Sequence, residues 1–112
     1  MHIMTEPLTE VPGIAITIDS ENLDAGNAKD FRDKIQPHPD QHALIIIEMQ
    51  AIKSVDSSGL SAMLYCLRNM NNKQGQLKLA GLTKPVRALF ELVGMHRIFS
   101  IYNTREEALA SL

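Results

Sequence analysis

Ile14, Ile16 and Ile18 alternate with Ala15, Thr17 and Asp19, the period of a strand with one buried face. Ahead of them, Ile3 to Leu8 reads as an edge strand, because Pro7 cannot donate to a ladder. Pro12-Gly13 is the turn that would join the two as a hairpin. Ala43-Leu44-Ile45-Ile46-Ile47-Glu48-Met49 is the most apolar run in the chain and predicts a central strand covered on both faces. Leu60, Met63, Leu64 and Leu67 recur at the spacing of one helical face and predict an amphipathic helix from about Ser58 to Asn72.

Polar and conformationally special residues punctuate these runs. Asp24 is a suitable N-cap for a helix through Ile35 with Ala28, Phe31 and Ile35 inward. Pro37-His38-Pro39-Asp40 stops it. Gln50 to Val55 reads as a connection that buries Ile52 and Val55. Asn71 to Gly75 ends the long helix, with Gly75 suited to the left-handed conformation. Gln76 to Ala80 alternates as a short strand. Thr83 then caps a helix whose first turn holds Pro85, and whose inner stripe is Val86, Leu89, Phe90 and Val93. Ile98 to Tyr102 is a last strand. Thr104-Arg105-Glu106-Glu107 is a capping-box pattern that opens a terminal helix with Ala108 and Leu109 inward.

Strands that alternate with helices after a hairpin give an α/β architecture. With right-handed crossovers, the loops that leave strands for helices gather on one edge of the sheet. The loop at Asn22-Asp24 and the loop at Asp56-Ser58 should therefore lie side by side, at the edge where open α/β sheets bind ligands.

Composition narrows the possibilities. A chain of 112 residues with 45% apolar content is one domain with a real core, spanning residues 1–112. The net charge of −2 gives no basic stripe for direct nucleic-acid binding. No apolar run approaches the roughly 20 residues of a membrane span, and Met1 to Pro7 lacks the basic-then-apolar order of an export signal. A single cysteine, Cys66, allows no internal disulfide and no multi-cysteine metal site. It falls beside Leu67 and reads as packing. We expect a cytoplasmic protein without cofactor or metal. His2, His38, His42 and His96 are scattered, and Pro39 interrupts the one pair at helical spacing. Neither a Gly-x-Ser-x-Gly elbow nor a glycine-rich phosphate loop is present. A serine hydrolase would have no histidine near the motif in sequence.

Val55-Asp56-Ser57-Ser58-Gly59-Leu60 is where chemistry concentrates. It sits where the buried strand hands over to the long helix. Asp and Ser are preferred caps, and capping is the commoner role of such a string. A second reading stays open beside it. An exposed hydroxyl at a helix N-terminus faces N–H groups that lack partners and a positive dipole end, which together favour a phosphate. Phosphorylation would add about −1.5 to −2 charge, as much again as the whole net charge. Asp24 and Asp56 would repel the new group and leave that surface strongly acidic. A nearby carboxylate could also orient the hydroxyl or take its proton under a kinase.

The same six residues resemble the signature of STAS domains, the fold shared by anti-sigma factor antagonists and the cytoplasmic ends of sulfate transporters. The resemblance runs over almost the whole chain. Leu23-Asp24 with Asn27-Ala28 and Phe31 is similar to the family's first loop and helix. Lys84 to Met95 is similar to its third helix and the turn after it, and Ile98-Phe99 and the final Glu-Glu-Ala-Leu also fit. One departure is Glu21, where the family often has glycine. The resemblance implies a mixed sheet of four to five strands flanked by about four helices. It also implies a binding protein rather than an enzyme. The unphosphorylated form would bind an anti-sigma factor, a serine kinase of the histidine-kinase-like ATPase fold, and so free a sigma factor. Phosphorylation at Ser58, ahead of Ser57, would dissolve the complex, and a serine phosphatase would reset it. Asn22, Asp24, Asp56, Ser57 and Gly59 would surround the acceptor, and Met95, in the turn after Gly94, could be exposed to contact the partner. The alternative within the family is a STAS accessory subunit of a membrane transport system.

Overall fold

The computed structural model describes residues 1–112. Strand β1 (His2–Pro7) pairs antiparallel with β2 (Ile14–Asp19), from His2 opposite Asp19 to Pro7 opposite Ile14. This is the hairpin the sequence predicts, closed by the Leu8 N–H donating to the Gly13 carbonyl at 3.0 Å. β4 (Leu44–Glu48), β6 (Gln76–Ala80) and β7 (Ser100–Tyr102) then add in parallel, giving a five-stranded mixed sheet in the order β1-β2-β4-β6-β7. Register follows chemistry. Ile16, Ile47, Leu79 and Ile101 stand opposite one another across β2, β4, β6 and β7, so one apolar row runs the width of the parallel sheet.

Three helices cover that face: α1 (Ala28–Ile35), α2 (Ser57–Asn72) and α3 (Lys84–Leu92). Phe31, Ile35, Met63, Leu67, Met70, Val86 and Phe90 join the sheet's isoleucines in one cluster. Each such side chain is worth about 1.5–3 kcal/mol of burial. The short α4 (Arg105–Ala110) covers part of the other face, where Ala108 packs with Leu44, Ile46 and Ala80. β4 is therefore covered on both sides, as its unbroken apolar run requires. No helix is long and apolar enough to cross a membrane.

Several elements depart from the sequence pattern. Ala15 is buried along with its isoleucine neighbours, so β2 is not half-exposed: it lies inside the sheet, with both faces occupied. The buried stripe of α2 is Gly59, Ala62, Met63, Cys66, Leu67 and Met70, with Leu60 and Leu64 only at its margin. In α3, Val86 and Phe90 point inward, but Val93 is 43% exposed because the helix ends at Leu92. The chain turns through Met95–Arg97 before β7, which leaves Ile98 outside the strand. After α2 it is Gln74, at φ 59°, that adopts the left-handed conformation. Gly75 instead lies close to its neighbours, where a Cβ would fall 2.7 Å from the flexible end of Met70 and 3.1 Å from the Ala43 carbonyl oxygen.

The stretch read as a simple connection carries more structure than its pattern shows. Ser54–Val55 (β5) pairs in parallel with Asn22–Leu23 (β3), forming a second, two-stranded sheet. It fastens the loop after β2 to the loop after β4, and the candidate site is built on it.

Candidate functional site at the start of helix α2

Asp56 occupies the N-cap of α2 in extended backbone conformation. Its Oδ1 accepts the Gly59 N–H at 2.9 Å, the bond expected of a cap. Its Oδ2 accepts the Ala25 N–H at 3.2 Å, reaching across to the loop before α1. Its own N–H donates to the Leu23 carbonyl at 3.1 Å. One residue thus starts the helix and ties together the two loops predicted to lie side by side. With both carboxylate oxygens held by backbone donors, Asp56 is placed to position the helix start.

The neighbouring loop is fastened by its own amides. Asn27 Oδ1 accepts the Asp24 N–H at 2.9 Å, while its Nδ2 donates to the Asn22 carbonyl at 2.8 Å. The Ser54 hydroxyl donates to Asn22 Oδ1 at 2.7 Å. Asp24 does not cap α1, whose N-cap is Asn27. Instead Asp24 Oδ1 accepts the Gly26 N–H at 2.9 Å, turning the chain one step earlier. Glu21 departs from the family pattern without strain. Gln74 is the one non-glycine residue at positive φ, so no glycine is needed at position 21. The Glu21 carboxylate pairs with Lys53 at 3.2 Å on the surface.

Gly59 shows how tightly α2 is seated. An ideal Cβ at this position would fall 2.3 Å from the Leu23 carbonyl oxygen, well inside van der Waals contact. The glycine is required because the first turn of α2 rests directly on β3. It fixes where Ser57 and Ser58 stand.

The two serines are the residues left over. Asp56 takes the capping bond, and neither serine hydroxyl has a hydrogen-bond partner within the protein. Ser57 and Ser58 hold the first two helical positions, whose N–H groups have no intrahelical acceptor. Beyond the Asp56 cap, the first turn of α2 contains no acidic side chain to offset its dipole. The capping and anion-site readings of the motif are therefore divided between different residues: Asp56 caps and the serines stay free. Ser57 is exposed. Ser58 is half-buried and lines a groove of about 310 Å³ between α1 and α2, with Ala25, Lys29, Arg32 and Ser61.

Lys29 and Arg32 were not singled out from the sequence. They sit three apart on the flank of α1 beside buried Ala28, where the apolar stripe gives way to charge, so the periodicity that found the inner face could have indicated its margin. What they face becomes visible only when α1 packs on α2. Arg32 lies 5.7 Å above the Tyr65 ring of α2, consistent with a cation–π contact.

Met95 is not brought to this site. α3 starts at the carboxyl ends of the strands, where the Thr83 hydroxyl donates to the Ile52 carbonyl at 2.8 Å. It then runs back towards the edge where β7 begins, and half-buried Met95 packs on the core there. Cys66 is buried on the inner face of α2 and its thiol is pushed up to about 12 by burial, which makes it packing and not a nucleophile. His38 and His42 have ring centroids 6.0 Å apart beside the Pro39 turn, and burial with the neighbouring His42 lowers the His38 pKa.

The STAS domain family model matches residues 7–108. The anti-sigma-B factor antagonist of Bacillus subtilis is 28% identical over 101 residues, covering 90% of this chain and 92% of that protein. Among solved structures, the anti-sigma factor antagonist SpoIIAA in its unphosphorylated form superposes with a TM-score of 0.76 at 24% identity, covering 96% of this chain and 93% of that one. The Bacillus cell fate determinant SpoIIAA in its phosphorylated form superposes at 0.71 with 23% identity, covering 98% of each chain. At these identities the structural likeness is one of fold.

Proposed function

We propose that this chain, which belongs to the STAS domain family, acts as an anti-sigma factor antagonist switched at Ser58. In this reading the unphosphorylated form binds an anti-sigma factor that is also a serine kinase of the histidine-kinase-like ATPase fold. A sigma factor is thereby released in the cytoplasm. Phosphate on Ser58 ends the binding, and a serine phosphatase restores it. The chain is a substrate and binding partner rather than a catalyst.

The observation that carries the reading is the division of labour at α2. Asp56 satisfies the helix start, so the Ser58 hydroxyl is structurally free, and modifying it breaks no bond of the fold. Antagonist names among relatives that span most of the chain point the same way. SpoIIAA has been solved in both phosphorylation states, and this fold is similar to each. The same fold also occurs in transporter proteins, so the antagonist reading rests on the names of the relatives and on the free Ser58 hydroxyl.

The physical effect of the switch is electrostatic. A group carrying about two negative charges, set in a docking surface and desolvated without a partner, costs several kcal/mol. Calorimetry with the anti-sigma factor kinase tests this. Parent and Ser58→Ala should bind alike, whereas the form phosphorylated at Ser58 should bind at least about 100-fold more weakly, roughly 2.7 kcal/mol. Ser58→Asp, with one charge, should fall between. Equal affinity for all four forms overturns the reading.

A further inference from the structure

The acidic neighbours Asp24 and Asp56 suggest that a phosphate on Ser58 would be repelled and displayed to solvent. The geometry points elsewhere. Both Asp56 oxygens and Asp24 Oδ1 are already engaged by backbone N–H donors at 2.9–3.2 Å, which hold them in place and offset part of their charge. Ser58 lies in a groove whose α1 wall carries Lys29 and Arg32 and whose α2 wall adds the Ser61 hydroxyl. Its floor is Ala25, Ala28 and Ala62, side chains too small to fill the space. The charges around the hydroxyl are then Asp24 and Asp56 on the loop side, and Lys29 and Arg32 across the groove. Asp33 is linked to Lys29 at 2.8 Å. That exposed pair is worth little and is easily exchanged for a stronger partner. The Lys29 side chain is 80% exposed and free to swing.

We propose that the groove between α1 and α2 is an internal phosphate-binding site, in which Lys29 and Arg32 close over phosphorylated Ser58. This rests on Ser58 being the modified residue. A guanidinium fork and an ammonium, added to the unpaired N–H groups of the first turn of α2, match the donors a phosphate prefers. Capture within the chain also alters what a partner meets. Phosphorylation then places two negative charges at the start of α2 and, in the same step, withdraws two cations from the α1 surface. The modified state differs from the free one by more than the phosphate itself, and the captured group is partly shielded from a phosphatase.

The test uses the full chain with phosphoserine installed at position 58 during synthesis, so that it depends on neither the kinase nor the partner. A 31P NMR titration reads the second ionisation of the phosphate, ordinarily near pH 6. In the Lys29→Gln/Arg32→Gln double variant that midpoint should lie about half a unit higher than in the parent, because opposite charges nearby favour the dianion. The difference should shrink at about 1 M salt. Both substituted side chains are exposed, so the unphosphorylated double variant should stay folded, melting within a few degrees of the parent as the Arg32–Tyr65 contact is lost. Lys29→Gln alone, which leaves Arg32 and its contact with Tyr65 intact, should give a smaller rise of the same sign. Superimposable titrations for parent and double variant overturn the groove site while leaving the assignment of Ser58 as kinase target untouched. Failure of the kinase to modify Ser58 refutes the assignment and leaves the groove result standing.

Discussion

Helices α2 and α4 both start at the carboxyl edge of the parallel strands, yet their first turns are finished in opposite ways. In α4, Thr104 Oγ1 accepts the Glu107 N–H at 3.1 Å and Glu107 Oε2 accepts the Asn103 N–H at 3.1 Å. Glu106 and Glu107 place negative charge on the dipole, and Arg105 is held by Glu48 at 2.5 Å and Glu6 at 3.0 Å. Nothing is left for an incoming group. In α2, Asp56 supplies the cap, but the next three positions are Ser57, Ser58 and Gly59. Position for position, α2 has a free hydroxyl where α4 has Glu106 and a bare backbone where α4 has Glu107. One helix start is completed by its own sequence. The other is left ready for negative charge to be added later, which is what a phosphorylation switch requires.

The largest expected effect probes the seat of α2. Gly59→Val sets side-chain atoms against the Leu23 carbonyl and should lower unfolding free energy by about 3 kcal/mol. The corresponding Glu107→Val in α4 meets no such wall and should lose about 1 kcal/mol, through one lost backbone bond. Urea denaturation of the two variants reads the difference directly. Equal losses would mean that the α2 start is no more tightly seated than that of α4.

Removing the caps comes next. Asp56→Ala deletes both the cap and the bond to Ala25 and should cost about 2 kcal/mol, whereas Thr104→Ala deletes a cap alone and should cost about 1 kcal/mol. An Asp56 variant as mild as its Thr104 counterpart would show that the link between the two loops contributes nothing.

Charge gives the smallest effect, but with opposite signs. Ser58→Asp fills an open position and should raise stability by about 0.5 kcal/mol even as it weakens partner binding, while Glu106→Gln empties a filled one and should lower stability by about the same amount. Thermal melting at low salt resolves both. A loss of stability in Ser58→Asp would mean that the first turn of α2 does not welcome negative charge.

The contrast also explains what could be read from the chain alone. The capping box at Thr104 is local, contained in four consecutive residues, and it forms as the pattern implies, with the Glu107 carboxylate reaching the Asn103 N–H in place of that of Thr104. The isoleucine runs of β2 and β4 and the face of α2 are periodic and equally legible. The junction at Asp56 was legible as a place where chemistry gathers, because cap residues and a glycine follow a buried strand. Its architecture was not. β3 and β5 are two residues each and pair across about thirty positions of sequence, too short for any period to show. Asp24 looked like the α1 cap because it is a good capping residue, but Asn27, hydrogen-bonded to Asn22 and Asp24, holds the chain in a turn until Ala28. Met95 read as a turn residue exposed enough to contact a partner, yet the direction of α3 carries it to the opposite edge, where it is half-buried against the core. Lys29 and Arg32 belong to the site only through the packing of α1 on α2, which no local pattern encodes.

The central claim is that Ser58, and not Ser57, accepts the phosphate. Mass spectrometry of the chain after incubation with its cognate kinase and ATP is the most direct test. The expected result is a single phosphate mapped to Ser58 in the parent, the same in Ser57→Ala, and none in Ser58→Ala. A phosphate that persists in Ser58→Ala, or that maps to Ser57 in the parent, contradicts the assignment.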